Sequence, residues 1–250
     1  MTEDTLRPEV EFFNDTSISY RKEYDLRTPE GYSFRVRREK VLRMVPERSK
    51  VLDIACGPGI MISGLRAKQC EITCTDAAPE MIARIKEEYG EPSDLTAVVG
   101  NAYELPFDSN SYDVATAMGL IEYLENETVF LQEANRVLKP GGMFIITFPN
   151  YYSPWRAINR LFVGLKHAFN KKSSGKVTHR EYTASRAREL LRNHGFDVAD
   201  VLYYNFKLIP YPLDRMLSRL TVVQSRIFEM LDRTPLKWLG TAFIVKATKR

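Results

Sequence analysis

The sequence predicts an α/β chain with a mostly parallel sheet and helices on both faces. Three observations carry that expectation. The apolar run Val51-Leu52-Asp53-Ile54 enters a Gly57-Pro58-Gly59 turn and then an amphipathic stretch at 60–68, the pattern of a strand, a tight turn and a helix. A second apolar run at 71–76 closes on an acid, Asp76, 23 positions after Asp53. Strand and helix patterns then alternate as far as residue 148, an order that needs crossover helices and buries a sheet on both sides.

Length and composition bound the rest. The 250 residues have room for one α/β domain with elaborations. The expected plan is a single domain over 1–250: an N-terminal cap at 1–45, a ligand-binding core at 46–148, and substrate-side insertions at 149–182 and 207–237. Apolar content of 44% and charged content of 27% are those of an ordinary globular protein, and a net charge of +4 does not by itself call for nucleic acid or membrane. Residues 1–11 carry acids and Pro8 and lack the basic start and apolar centre of a signal peptide. No apolar run approaches the roughly 18–20 residues of a membrane span. Three cysteines make no disulfide framework, so a reducing, cytoplasmic setting is expected. Cys70 and Cys74 flank a strand without nearby metal-ligand partners and are expected as buried thiols.

Taken in order, residues 33–45 have helical spacing, with Phe34, Val36, Val41, Leu42 and Val45 apolar, bases between them, and Pro46 as the stop. This is a packing helix with a solvated basic face. A sharper expectation is that Tyr20 or Arg35 reaches the ligand from this cap. After the strand at 71–76, Pro79 opens a helix with Met81, Ile82 and Ile85 on its apolar side. Strands follow at 95–99 and 112–118, then a helix at 125–138 that Lys139-Pro140-Gly141-Gly142 should end, and a strand at 143–148. Residues 149–176 form an insertion rich in aromatics and bases. A helix at 183–194 stops at Gly195, and strands are expected at 196–206 and 241–247. Between them, apolar residues at 213, 216, 217, 220, 227, 230 and 231 suggest one amphipathic helix that packs on the sheet, forms a lid or rests on a membrane surface.

The turn itself excludes some ligands. Glycines at 57 and 59 permit backbone angles closed to other residues and leave no Cβ to hold a ligand away. The dinucleotide fingerprint would need a third glycine at 62, where Ile62 stands, and no phosphate-cradling G-x-x-x-x-G-K-[ST] run occurs. A close approach without pyrophosphate is the outcome. Asp76 sits at the offset where an acid meets ribose hydroxyls in nucleotide-binding βαβ units.

Four motifs in sequence, V-L-D-I-A-C-G-P-G, the strand ending at Asp76, G-N-A-Y-E-L-P-F-D with S-Y-D-V after it, and V-L-K-P-G-G-M-F-I-I-T, resemble those of the class I S-adenosylmethionine-dependent methyltransferases. The resemblance is close over 45–148 and looser beyond. It implies a Rossmann-like seven-stranded sheet whose last strand is antiparallel, with a helical insertion or lid on the substrate side. It also implies S-adenosylmethionine across the carboxyl ends of the strands. Carried over by position, Asp53 orients the glycine turn or the cofactor's amino group, Ala55, Gly57 and Gly59 line the methionine and ribose, and Asp76 holds the ribose hydroxyls. Ala77 and Met81 pack on the adenine, Asn101 and Ala102 touch its edge, and Met118 offers backbone. Asn101 departs from the commoner Asp, although its side-chain oxygen can still accept from the adenine amino group.

For the acceptor side, Glu122, Tyr123 and His179 are the candidate catalytic residues. Relatives often carry Glu-His where this chain has Glu122-Tyr123, and a phenol with a reference pKa of about 10 is a poor base. His179 lies in the substrate region without an obvious packing role. An N/D-P-P-Y run is absent, against the branches that methylate adenine bases or glutamine. Aromatic and apolar content at 149–170 and 203–231 favours a small-molecule methyl acceptor with a hydrophobic or aromatic body. An RNA substrate, on the basic 156–192 region, is the second reading, and a non-catalytic cofactor-binding regulator is the third.

Overall fold

The computed structural model describes residues 24, 27–169 and 179–250, with 162–169 described as helical backbone alone. In chain order its elements are α1 (Pro29–Met44), β1 (Lys50–Ile54), α2 (Ile62–Ala67), β2 (Glu71–Asp76), α3 (Pro79–Tyr89), β3 (Leu95–Val99) and β4 (Tyr112–Ala117). A 3₁₀ turn (Ile121–Tyr123) leads to α4 (Glu127–Val137), β5 (Leu138–Pro149), α5 (Pro154–Phe169), α6 (Ala184–Asn193) and β6 (Phe196–Tyr204). Helices α7 (Leu213–Met216) and α8 (Ser218–Phe228), two 3₁₀ turns (Glu229–Arg233 and Pro235–Leu239) and β7 (Ala242–Lys249) complete the chain.

The described residues form one seven-stranded sheet in the order β3-β2-β1-β4-β5-β7-β6. Strands β1 to β5 pair in parallel, and β7 runs antiparallel between β5 and β6. The order reverses between β1 and β4, and a crevice at such a switch point, beyond the carboxyl ends of the strands, is where open α/β sheets bind ligands. Successive strand residues point to opposite faces. Leu52, Ile54, Ala115, Phe144 and Phe148 join a core on one face with Phe130 and Leu131 of α4 and Leu191 of α6. Val51, Ile72, Cys74, Val114 and Ile145 join a second core with Val41, Ile62, Leu65, Ile82 and Ile85.

Two expectations are corrected. The K-P-G-G run does not separate helix from strand, because β5 already begins at Leu138 and Gly141 takes a positive φ within it. The single amphipathic helix expected over 213–231 is broken at Leu217 and Phe228, and most of its apolar residues face outward. Asp214, Thr221 and Ser225 are buried while Met216, Leu220 and Ile227 are exposed. Hydrogen bonds fix that inversion: Thr221 Oγ1 donates to the carbonyls of Asp214 and Leu217, at 3.1 Å each. Ion pairs from Lys40 Nζ to Glu229 (3.2 Å) and Asp232 (2.6 Å) hold the next turn inward.

Candidate functional site

Past Ile54 the backbone leaves the sheet and turns sharply. Ala55, Gly57 and Gly59 take φ of 54°, 53° and 72°, three left-handed residues within five. For alanine this conformation costs roughly 1–2 kcal/mol, so surrounding contacts must enforce it. They do so from β2: Cys56 N donates to the Thr75 carbonyl (3.1 Å) and Gly57 N to Asp76 Oδ2 (2.8 Å). Asp76 Oδ1 accepts from Ala78 N (2.9 Å), so one carboxylate joins the glycine turn to the start of α3. Each oxygen keeps a further lone pair for a hydroxyl donor. A Cβ on Gly59 would stand 2.5 Å from Ile62 Cδ1 and 2.9 Å from Ile85 Cγ1, so the close packing of α2 and α3 beneath the turn requires glycine.

Asp53 lies under this turn and is 1% exposed. Its Oδ1 accepts from Thr116 Oγ1 at 2.6 Å, whereas Oδ2 is buried with no hydrogen-bond partner. Burial pushes its pKa up to about 7, against the Thr116 hydrogen bond, with smaller and opposite contributions from the charges of Asp76 and Arg37. A buried carboxylate with one unsatisfied oxygen is costly unless a donor arrives to meet it.

The other expected cofactor contacts line the same edge of the sheet. Met81 is buried and Ala77 half-buried at the start of α3. Asn101 follows β3 and is exposed, with its Oδ1 accepting from Tyr103 N at 3.0 Å, while Ala102 beside it is half-buried. Met118, 8% exposed, ends β4, and Gly119 N next to it donates to Thr147 Oγ1 (2.8 Å). Tyr20 lies outside the described residues. Arg35 Nη1 donates to the Tyr24 carbonyl (2.6 Å).

Arg37, which the sequence reading grouped with the solvated bases, is the arginine that enters the site. It is 7% exposed, donates from Nη2 to Tyr24 Oη (2.8 Å), and puts Nη1 2.7 Å from where a Cβ on Gly119 would stand. The signal was available: residue 37 lies three after Phe34 and four before Val41, on the apolar side of the helix.

The three candidate catalytic residues come together. Glu122 and Tyr123 share the 3₁₀ turn after β4, and the His179 ring packs edge-on against Tyr123 with centroids 4.6 Å apart. The segment after His179 is pinned to that turn: Arg180 N donates to the Glu122 carbonyl (3.1 Å) and Tyr182 Oη to Glu127 Oε2 (2.6 Å). Glu122 Oε2 is sealed from solvent without a partner; burial raises the carboxyl's pKa, partly offset by the charges of Arg37 and Arg156. Burial also raises the Tyr123 phenol. His179 moves the other way, lowered first by burial of the ring and then by Arg156, although the residue keeps contact with solvent.

Two cations that the sequence left in an undifferentiated insertion and strand end frame this side. Arg156 donates from Nε to the Thr241 carbonyl (2.6 Å) and from Nη1 to Glu181 Oε1 (3.3 Å). Lys207 is 5% exposed, with Nζ 4.9 Å from the Trp155 ring centre and 3.9 Å from both Glu30 and Asp214. No periodicity marks Lys207, because it follows the end of β6 and is buried only once α7 folds over it. Among the described residues no cluster of His, Cys, Asp and Glu could hold a metal ion, and no helix is long and apolar enough to cross a membrane.

Comparison with known proteins agrees with this geometry. A family model described as a methyltransferase domain matches residues 52–146, from β1 into β5. The chain is 35% identical over 116 residues to the demethylmenaquinone methyltransferase of Staphylococcus aureus, covering 44% of this chain and 48% of that protein. It thus spans about half the length of the curated relatives it matches. The magnesium protoporphyrin IX methyltransferase of Synechocystis PCC 6803, solved with bound SAH, superposes with a TM-score of 0.67 at 13% identity over 96% of this chain and 97% of its own. An S-adenosylmethionine-dependent methyltransferase of Thermotoga maritima gives 0.64 at 18% identity over 96% and 99%. At such identities the structural likeness speaks for the fold alone. The family match, the glycine turn tied to Asp76 and the reversal of strand order between β1 and β4 agree with one another: residues 52–146 resemble a methyltransferase domain, carried on the fold of the S-adenosylmethionine-dependent methyltransferases.

Proposed function

We propose that the chain transfers the methyl group of S-adenosylmethionine, by in-line displacement, to an O, N or C atom of a small acceptor with a partly hydrophobic or aromatic body. The observation that carries this reading is the Cβ-free turn at Gly57 and Gly59, set beside Asp76 and above the unpartnered Asp53 Oδ2. The residues suit the cofactor. Asp76 has lone pairs left for two ribose hydroxyls, Asp53 offers a buried acceptor to an ammonium or to the turn, and Met81 gives an apolar wall to a purine. When bound, S-adenosylmethionine supplies a methyl already activated on its sulfonium.

The chain then has to align the acceptor, exclude water and, where needed, take a proton. His179 is the group for that proton. Its lowered pKa leaves the ring neutral at pH 7, and Tyr123, held protonated by burial, supports the ring edge-on. Trp155 and Tyr123 supply aromatic surface, and the buried cations Arg37 and Lys207 offset a negative charge on the acceptor. A ring-bearing acceptor agrees with the names of the Staphylococcus aureus relative and the Synechocystis neighbour.

Calorimetric titration with S-adenosylmethionine tests the root of the proposal. The wild-type chain is expected to bind, and Asp76→Ala to bind about tenfold or more weakly, the value of a charge-assisted hydrogen bond. No detectable heat from folded wild-type protein would overturn the reading.

A further inference from the structure

The segment over 208–238 has an inverted distribution of side chains. Along α8, Leu220, Val223 and Ile227 recur at three- and four-residue spacing on one stripe and are 56%, 55% and 58% exposed. Met216 and Met230 extend the stripe at either end, at 75% and 71%, and Trp238 is exposed in the 3₁₀ turn beyond. The face turned to the protein carries Thr221 and Ser225, fully buried, with Phe228 and Leu231 packing on the core at its end. A run of large apolar side chains this long on an open helix face marks an interaction surface, not a solvated one.

The charges are sorted in the same way. All three acids between 208 and 238 turn inward: Asp214 is 1% exposed and faces Lys207, while Glu229 and Asp232 are both spent on Lys40. All five bases, Arg215, Arg219, Arg226, Arg233 and Lys237, are exposed. Arg215 also lies 3.7 Å from Glu30 and keeps two thirds of its side chain in solvent. Arg219 and Arg226 stand seven residues apart, about two turns, and so run along one side of the apolar stripe. The outward face therefore combines apolar side chains with positive charge of a single sign.

We propose that this face docks the protein on an anionic lipid bilayer, with α8 lying in the plane of the interface. Bases beside the stripe complement lipid phosphates, and the apolar stripe enters the acyl boundary, the distribution that interfacial helices show. A tryptophan at the end of the stripe suits headgroup depth. A second copy of the chain fits worse, because a symmetric pairing would bring the same positive face against itself. The inference stands on the face and goes beyond the methyl-transfer reading. Its test needs no catalysis.

The experiment is flotation of the full chain with vesicles of phosphatidylcholine alone and of equal parts phosphatidylcholine and phosphatidylglycerol. The wild-type protein is expected to float with the mixed vesicles, to stay behind with phosphatidylcholine, and to be released by added salt. Two double variants at exposed positions, Leu220→Ser with Ile227→Ser and Arg219→Glu with Arg226→Glu, should each reduce the bound fraction about tenfold or more. Unchanged thermal unfolding of both would show that the fold is intact. The proposal is overturned if the wild-type chain ignores mixed vesicles or if both variants float undiminished. It is also overturned if the chain instead forms a concentration-dependent dimer that the Leu220→Ser and Ile227→Ser pair disperses.

Discussion

The two ends of this sheet are built by different means. On the β1–β2 side, the ligand edge is made by residues close together in sequence. Asp53, Gly57, Gly59 and Asp76 lie within 24 positions, and hydrogen bonds from Gly57 and Ala78 to one carboxylate fix their arrangement. Beyond β4, the edge proposed for the acceptor is assembled from distant pieces. Lys40 reaches Asp232, Tyr123 meets His179, and Lys207 is covered by Trp155 and Asp214. The first kind of site survives changes elsewhere in the chain. The second depends on every element that folds over it, and it is where members of a family can diverge in substrate while keeping the cofactor edge.

That contrast is broken most directly at Gly59. With φ at 72° and Ile62 and Ile85 already in contact distance of any added Cβ, Gly59→Val meets both backbone strain and overpacking. The expected loss is about 4 kcal/mol of stability, together with S-adenosylmethionine binding, read by denaturant unfolding and calorimetry. A variant that unfolds at the wild-type midpoint and binds normally would show that the turn is far more forgiving than its geometry implies.

The same contrast explains what the sequence disclosed. Strand runs such as 71–76 and 95–99 are apolar, short and bounded by turn residues, so their ends are local properties. They match β2 and β3 to the residue. The antiparallel β7 came from the family resemblance, since no local pattern in 242–249 encodes direction. The 213–231 stretch misled because helical spacing of apolar residues says that they share a face, not which way that face points. Burial there is decided by Asp214, Thr221, Glu229 and Asp232 finding partners on other elements. Lys207 was hidden for a related reason, because a cation at a strand end becomes buried only when distant segments cover it, whereas the place of Arg37 on the apolar side of α1 was legible.

Asp53 sharpens the comparison through pH. Its folded pKa of about 7 stands well above the usual carboxylate value, so between about pH 4 and 7 the unfolded chain releases a proton that the folded chain keeps. Stability from this residue is therefore full below pH 4 and lost progressively as pH rises to about 7. Asp53→Asn removes the loss. In the absence of cofactor, the variant is expected to gain about 4 kcal/mol over wild type at pH 8, with the gap closing toward pH 4 in paired denaturant titrations. It should nevertheless bind S-adenosylmethionine more weakly, because the acceptor oxygen left over in the wild-type site becomes an amide. A gap independent of pH would remove Asp53 as the titrating group.

Lys40 offers the converse case, a change confined to the side proposed for the acceptor. Its ammonium is almost sealed between Glu229 and Asp232, whose side chains are 16% and 17% exposed, and it joins α1 to the 3₁₀ turn after α8. Lys40→Met leaves two half-buried carboxylates side by side without a counter-charge, an expected cost of about 2 kcal/mol. That cost falls on the attachment of residues 208–238, because the pair ties α1 to the 3₁₀ turn after α8, while the glycine turn is held by Thr75 and Asp76. Hydrogen exchange over α8 should accelerate roughly tenfold or more while β1 and β2 keep their protection, and S-adenosylmethionine affinity should stay within about twofold of wild type. If affinity falls in step with the loosening of α8, the two edges are energetically coupled. The proposed acceptor side would then have to be read as part of the cofactor site, not as a surface folded over it.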